Sequence, residues 1–171
     1  MTYFLDFDMT LFDTRRFLPY LFAKPACAGL SVPPFVELAR ELDTLVGAGK
    51  LSFAEGELAQ FLYPDVAAFV ETHPCVIVTA GPVMWQAAKV ANALPGVRAI
   101  YTDDAPKGPF VEEAAAGTPG PVFFVDDRPG QLNSVRDACP AAAIFEMRRD
   151  DADAQSTYPV VRSLSELPEP R

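Results

Sequence analysis

Five short apolar runs, each closed by polar or turn-forming residues, set the rhythm of the chain. The first, Tyr3-Phe4-Leu5, runs into Asp6 and Asp8. The others are Cys75–Thr79, Val97–Tyr101, Val122–Val125 and Ala142–Glu146. Runs this short and this apolar are expected of strands covered on both faces of a parallel sheet. Between them lie helical patterns at Met84–Leu94, Phe110–Ala116 and Gln131–Ala138. The alternation predicts an α/β fold, a doubly wound parallel five-stranded Rossmann-like sheet.

The stretch between the first two strands is too long for a single crossover. Phe35, Leu38, Ala39, Leu42, Leu45 and Val46 fall on one helical face. Ser52-Phe53-Ala54-Glu55 matches a capping box and predicts a second helix running toward Leu62. Tyr63-Pro64-Asp65 restarts a helix ahead of the second strand. The expected organisation is a core of residues 1–14 and 63–171, with 15–62 spliced in as a small α-helical cap. The charged run Arg148, Arg149, Asp150, Asp151 and Asp153 reads as a solvated loop. Ser163-Leu164-Ser165-Glu166 reads as one more capped helical turn.

A chain of 171 residues suits one core with at most a small accessory module. Half its residues are apolar, which argues against disorder. A formal charge of −9 argues against general binding to nucleic acid, whose non-specific affinity comes from Lys and Arg. Cys27, Cys75 and Cys139 are odd in number and widely spaced, which predicts reduced thiols and a cytoplasmic setting. No signal peptide and no apolar stretch of membrane-spanning length is expected.

Candidate chemistry gathers where the strands end. Asp6 and Asp8 follow the first, Thr79 and Ala80 the second, Lys107 the third, and Asp126 and Asp127 the fourth. In a parallel sheet these ends share one edge, so the side chains can converge. Paired carboxylates suit a divalent cation and covalent phosphoryl chemistry, while a lysine and a hydroxyl suit the transferring oxygens. Lys107 is preferred to Lys89, which sits in a helix. Asp13 reads as a helix cap, and Arg128 as a partner of either substrate or Asp127. His73 reads as structural and Trp85 as helix packing. Tyr20, Phe22 and Lys24 are candidates to line a pocket.

Asp6-Phe7-Asp8-Met9-Thr10 resembles the DxDx(T/V) signature of the haloacid dehalogenase (HAD) superfamily. Val76-Ile77-Val78-Thr79 resembles its second motif, Lys107 its third, and Phe123-Phe124-Val125-Asp126-Asp127 its fourth. The order is kept over about residues 1–146. The resemblance implies a phosphatase with Asp6 as nucleophile, Asp8 as acid/base and Mg²⁺ as cofactor. It also implies phosphate binding by Thr79, Ala80 and Lys107. The metal would be held by Asp6, the Asp8 backbone carbonyl and the Asp126-Asp127 pair, whose internal order stays open. Members acting as dehalogenases lack the second Asp, so Asp8 favours phosphate over halide. Met9 stands where glycine is common. The expected substrate is a small-molecule phosphomonoester, with a phosphoprotein as the alternative; a phosphomutase and a non-catalytic binding module are the competing functions.

Overall fold

Thr2–Leu5 forms β1 because each of its side chains has a covered apolar environment on one face of the sheet or the other. The computed structural model describes residues 1–30, 35–150 and 155–169. Asp151 and Asp153 therefore lie outside the described residues, as does the side chain of Phe35. The remaining strands are β2 (Cys75–Thr79), β3 (Arg98–Tyr101), β4 (Val122–Asp126), β5 (Ala143–Met147) and β6 (Val160–Val161). All pair in parallel, in the order β3-β2-β1-β4-β5-β6. The sixth strand is an addition to the expected five. Two valines are too short a run to read as a strand, and they pair only because the backbone returns along β5.

The sheet is covered on both faces. Phe4, Val76, Val78 and Phe124 point to Val111, Leu132 and Val135 of α5 (Gly108–Ala115) and α6 (Pro129–Ala138). Tyr3, Leu5, Ile77, Phe123 and Val125 point the other way. There they meet α3 (Val66–Thr72) and α4 (Val83–Ala93), the latter through Trp85, Val90 and Ala93. Strand alternation thus divides one apolar run between two helical layers.

The long connection after β1 builds α1 (Thr14–Phe22) and α2 (Phe35–Gly47). Asp13 caps α1 as expected, its carboxylate accepting from Arg16 N at 3.1 Å. Phe17 and Leu21 of α1, Leu38 and Leu42 of α2, and Leu58 and Phe61 join the cluster on the sheet's first face. The connection therefore shares its core with the sheet.

The capping box at Ser52 does not form. Gly56 takes a left-handed conformation at φ 68°, and only a short 3₁₀ helix, Glu57–Phe61, follows. Its first amide, Glu57 N, donates locally to Ala54 O at 3.0 Å, but the next is served from elsewhere. Asn92 of α4 accepts from Leu58 N at 2.7 Å and donates to Ala54 O at 2.7 Å, so a tertiary contact replaces the local cap.

Nor are Arg148 and Arg149 solvated. Arg148 pairs with Glu146 at 2.8 Å, and both side chains are largely buried. Arg149 lies over the Tyr63 ring and donates through Nη1 to both oxygens of Asp65 at 2.9 Å. Its Nε reaches Thr10 O at 2.9 Å. No helix among the described residues is long and apolar enough to cross a membrane.

Candidate active site

Register alone brings the first two carboxylates together. Leu5 of β1 is paired with Val125 of β4, so Asp6 leaves the sheet beside Asp126. The amide of Asp6 still donates to Val125 O at 2.9 Å, which prolongs the pairing to the point of divergence. Beyond it the chain turns sharply, with Leu11 N and Phe12 N both donating to Phe7 O at 2.9 Å. Met9 sits in this turn at φ 63°. That left-handed backbone explains why glycine suits the position, and a non-glycine residue there carries about 1 kcal/mol of strain.

Asp6, Asp126 and Asp127 each offer an oxygen within 4.8 Å of the others. Burial pushes Asp6 up to about 6; Lys107 opposes this and the charge of Asp126 adds to it. Burial, with Asp6 and Asp126 beside it, pushes Asp127 up to about 8. The cluster thus holds more negative charge than its surroundings neutralise. Asp126 is the most occupied of the three, accepting from Lys107 Nζ at 2.6 Å and from Arg128 N at 2.8 Å. Asp127 receives no hydrogen bond from another side chain among the described residues, and it lines the cavity.

Lys107 lies behind the carboxylates, fully buried, with its ammonium bridging Asp6 and Asp126. Burial lowers the lysine's proton affinity, but the two carboxylates outweigh it and hold the pKa above its ordinary value. Its position is fixed through the backbone. Lys107 N donates to Gln131 Oε1 and Gly108 N to Ser134 Oγ, each at 2.9 Å. A Cβ on Gly108 would overlap Ser134 O, so only glycine lets α5 approach α6 this closely.

Thr79 ends β2 with its hydroxyl buried and without a hydrogen-bond partner among the described residues. Ala80 and Gly81 follow it into the cavity wall, Gly81 at φ 122°. Arg128 lines the same cavity, half exposed, with its charge near all four carboxylates.

Asp8 points to a different set of partners. Lys89 Nζ lies 2.6 and 2.7 Å from its two oxygens, Gln86 Nε2 donates at 2.9 Å and Thr14 Oγ1 at 2.7 Å. Burial works to raise the Asp8 pKa, but Lys89 and the donors outweigh it and hold the carboxyl below its usual range. Lys89 is itself buried, with its ammonium 5.3–5.7 Å from the ring centres of Phe7, Phe12 and Trp85. The sequence reading passed Lys89 over. Its signal was a charged residue inside the buried stripe Trp85, Gln86, Lys89, Val90 and Ala93 of α4.

Asp6, Asp8, Ala80, Lys89, Asp127 and Arg128 line a cavity of about 530 Å³, within the usual range for a small-molecule site, whereas Thr79, Lys107 and Asp126 are not among its described lining. Tyr20, Phe22 and Lys24 are absent from its described lining. Tyr20 and Lys24 instead meet at Glu57. His73 stacks on Phe69 and meets the Tyr3 ring edge-on at the far end of the sheet, as expected of a structural residue. Trp85 packs in the core and also faces the cavity.

No protein-family model and no curated protein matches the chain. Solved structures do match over almost its whole length. A haloacid dehalogenase-like hydrolase from Burkholderia xenovorans is 15% identical, with a TM-score of 0.64, over 96% of this chain and 93% of that one. The HAD-hydrolase YfnB from Bacillus subtilis, solved bound to magnesium, is 13% identical with a TM-score of 0.62, over 96% and 95%. A dehalogenase is 18% identical with a TM-score of 0.57, over 96% and 94%. The chain thus shares the fold of haloacid dehalogenase-like hydrolases.

Proposed function

We propose that the chain is a Mg²⁺-dependent phosphohydrolase that cleaves a phosphomonoester through an aspartyl-phosphate on Asp6. The observation that carries this reading is the crowding of Asp6, Asp126 and Asp127, the first and last of them lining a cavity, with two of the three pushed up in pKa. A hard cation with oxygen ligands fits that donor set. Asp6, Asp127 and the Asp8 carbonyl would hold it, with Asp126 kept in place by Lys107 and Arg128. When bound, it would offset the repulsion between these carboxylates and a phosphate dianion.

The chain's own groups supply the rest. An Asp6 oxygen attacks phosphorus, the bond to the leaving oxygen breaks, and Asp8 is placed to protonate that oxygen. In the second half Asp8 takes a proton from water, whose oxygen attacks phosphorus and frees Asp6 and inorganic phosphate. The Lys89 contact favours the ionised Asp8 that this second half uses and disfavours the protonated Asp8 that the first half uses, so protonation of the leaving oxygen is the step it slows. Thr79 supports the reading because its unpartnered buried hydroxyl is a donor in want of an acceptor, and a phosphoryl oxygen meets that need. The Ala80 backbone and Lys107 would add donors and positive charge. The region 15–62 acts in this reading as a fixed wall of the site and a small cap.

A dehalogenase shares the fold, so the test includes both chemistries. Phosphate release from an aryl phosphate is measured with Mg²⁺ and with EDTA, for the native chain and Asp6→Asn. Chloride release from a 2-chloroalkanoate is measured alongside. Metal-dependent phosphate release that the variant loses is the expected result. Chloride release without phosphate release would refute the proposal.

A further inference from the structure

The carboxylates account for only one end of the cavity. Among the described residues, the rest of its lining comes mainly from α1, α2 and the first turns of α4: Phe17, Leu18, Leu38, Ala39, Leu42 and Trp85. None of these side chains carries a hydroxyl or a carboxamide, and the Trp85 backbone amide already donates to Asp43 at 2.8 Å. The polar groups that do face the cavity are committed near the carboxylates. Thr14 and Gln86 donate to Asp8, and Gln131 accepts from Lys107. Arg15 and Asp104 stand at the exposed rim, where they pair with Asp150 and Arg40. The groups left over, Gln86 Oε1, the Gln131 amide nitrogen, the half-exposed Arg128 guanidinium and Asp127, all lie at the carboxylate end rather than among the apolar side chains.

We propose that the group esterified to the phosphate is apolar, an aryl or medium-length alkyl alcohol, and that sugar phosphates are discriminated against. The proposal rests on the phosphohydrolase reading and specifies its substrate class. A polyhydroxylated leaving group would bury several hydroxyls against the apolar wall, away from the polar groups at the carboxylate end, and buried unpaired polar groups are strongly disfavoured. An alkyl chain would gain affinity with each methylene it buries, by about fourfold apiece.

The two ideas separate in one set of measurements. The Asp6→Asn protein with Mg²⁺ is titrated calorimetrically with n-hexyl phosphate and with glucose 6-phosphate, monoesters of primary alcohols with equal carbon count. Tighter binding of hexyl phosphate, by about tenfold or more, is expected. Equal affinity, a preference for the sugar, or no measurable binding of either overturns the proposal. Leu18→Asn, which sets an amide in the wall, should narrow the preference by about threefold or more. Val36→Asn repeats the test at a cavity-lining position that is 53% exposed, where folding is not at stake. An unchanged preference in both variants counts against the wall. Turnover of either ester by the native chain is scored separately. Its absence with both refutes the phosphohydrolase reading, while a sugar phosphate cleaved faster refutes only the substrate class.

Discussion

Replacing Lys89 by methionine removes an ammonium and keeps most of its stem, so it isolates the charge that holds Asp8. The ammonium lies 2.6 and 2.7 Å from the two carboxylate oxygens, with the lysine side chain 3% exposed and that of Asp8 26% exposed. At an effective dielectric near 20, this separation corresponds to about 6 kcal/mol of attraction. Desolvation of the lysine cancels part of that, and losing one partner of a buried pair costs about 3–5 kcal/mol. Because Asp8 keeps Thr14 and Gln86, a loss of about 3 kcal/mol is expected. The pH dependence follows from linkage. A depressed carboxyl pKa stabilises the fold above the unfolded value near 4, and the benefit disappears as pH falls through the folded value. Without Lys89, burial is opposed only by the neutral donors. The difference between the two proteins should therefore be complete near pH 8, smaller near pH 4, and lost only as pH falls further, through the folded value. Urea unfolding of the metal-free proteins across that range measures it. In an Asp8→Asn background the same substitution should be neutral or stabilising, since Lys89 is then a buried unpaired charge. A loss below about 1 kcal/mol at pH 8, or the same loss in both backgrounds, would refute the reasoning.

The raised carboxyls Asp6 and Asp127 make metal binding pH-dependent, because their protons must leave before a cation enters. Apparent Mg²⁺ affinity should rise about tenfold or more from pH 6 to pH 8, and calorimetry in buffers of different ionisation heat should detect proton release at pH 7; a flat profile contradicts it. In the metal-free protein the same two groups bind protons more tightly folded than unfolded, so they cost stability as pH rises from about 4 through 8. Gly108→Ala should destabilise by about 2–4 kcal/mol and impair activity, since the new Cβ must push Ser134 and Lys107 apart; thermal unfolding within about 0.5 kcal/mol of the native chain would show that the helices yield. Met9→Gly should raise stability by up to about 0.5 kcal/mol, the left-handed strain less the entropy of glycine; a lower unfolding temperature argues against it.

Where apolar periodicity set the answer, the sequence was legible. β2 falls on Cys75–Thr79 as expected, and the other four anticipated strands shift by a residue or so at their ends. Strand order and register then bring Asp6, Asp126 and Asp127 together, as the reading of strand ends required. Illegible were features that depend on partners distant in sequence. Ser52 matches a local cap, but Asn92 supplies the hydrogen bonds across space. Arg149 sits in a charged run, yet Tyr63 and Asp65 bury it. Lys89 resembled a surface lysine until Phe7, Phe12 and Asp8 closed around it.

The guanidinium of Arg149 has a consequence for the order in which the protein is made. It bonds Thr10 O in the turn after β1, Asp65 at the start of α3, and Arg162 O at 3.1 Å in the last segment. Asp65 in turn accepts from Leu164 N at 2.6 Å. A ribosome delivers Asp6 and Asp8 first, but the groups that lock their turn emerge at residues 149–164. A nascent chain halted after β4 would carry every carboxylate of the candidate site together with Lys89 and Lys107, and would still lack the clamp on Thr10. Completion of the site thus waits for residues 149–164, and chains stalled before them would be released with a loose turn and no β5 edge to shield β4.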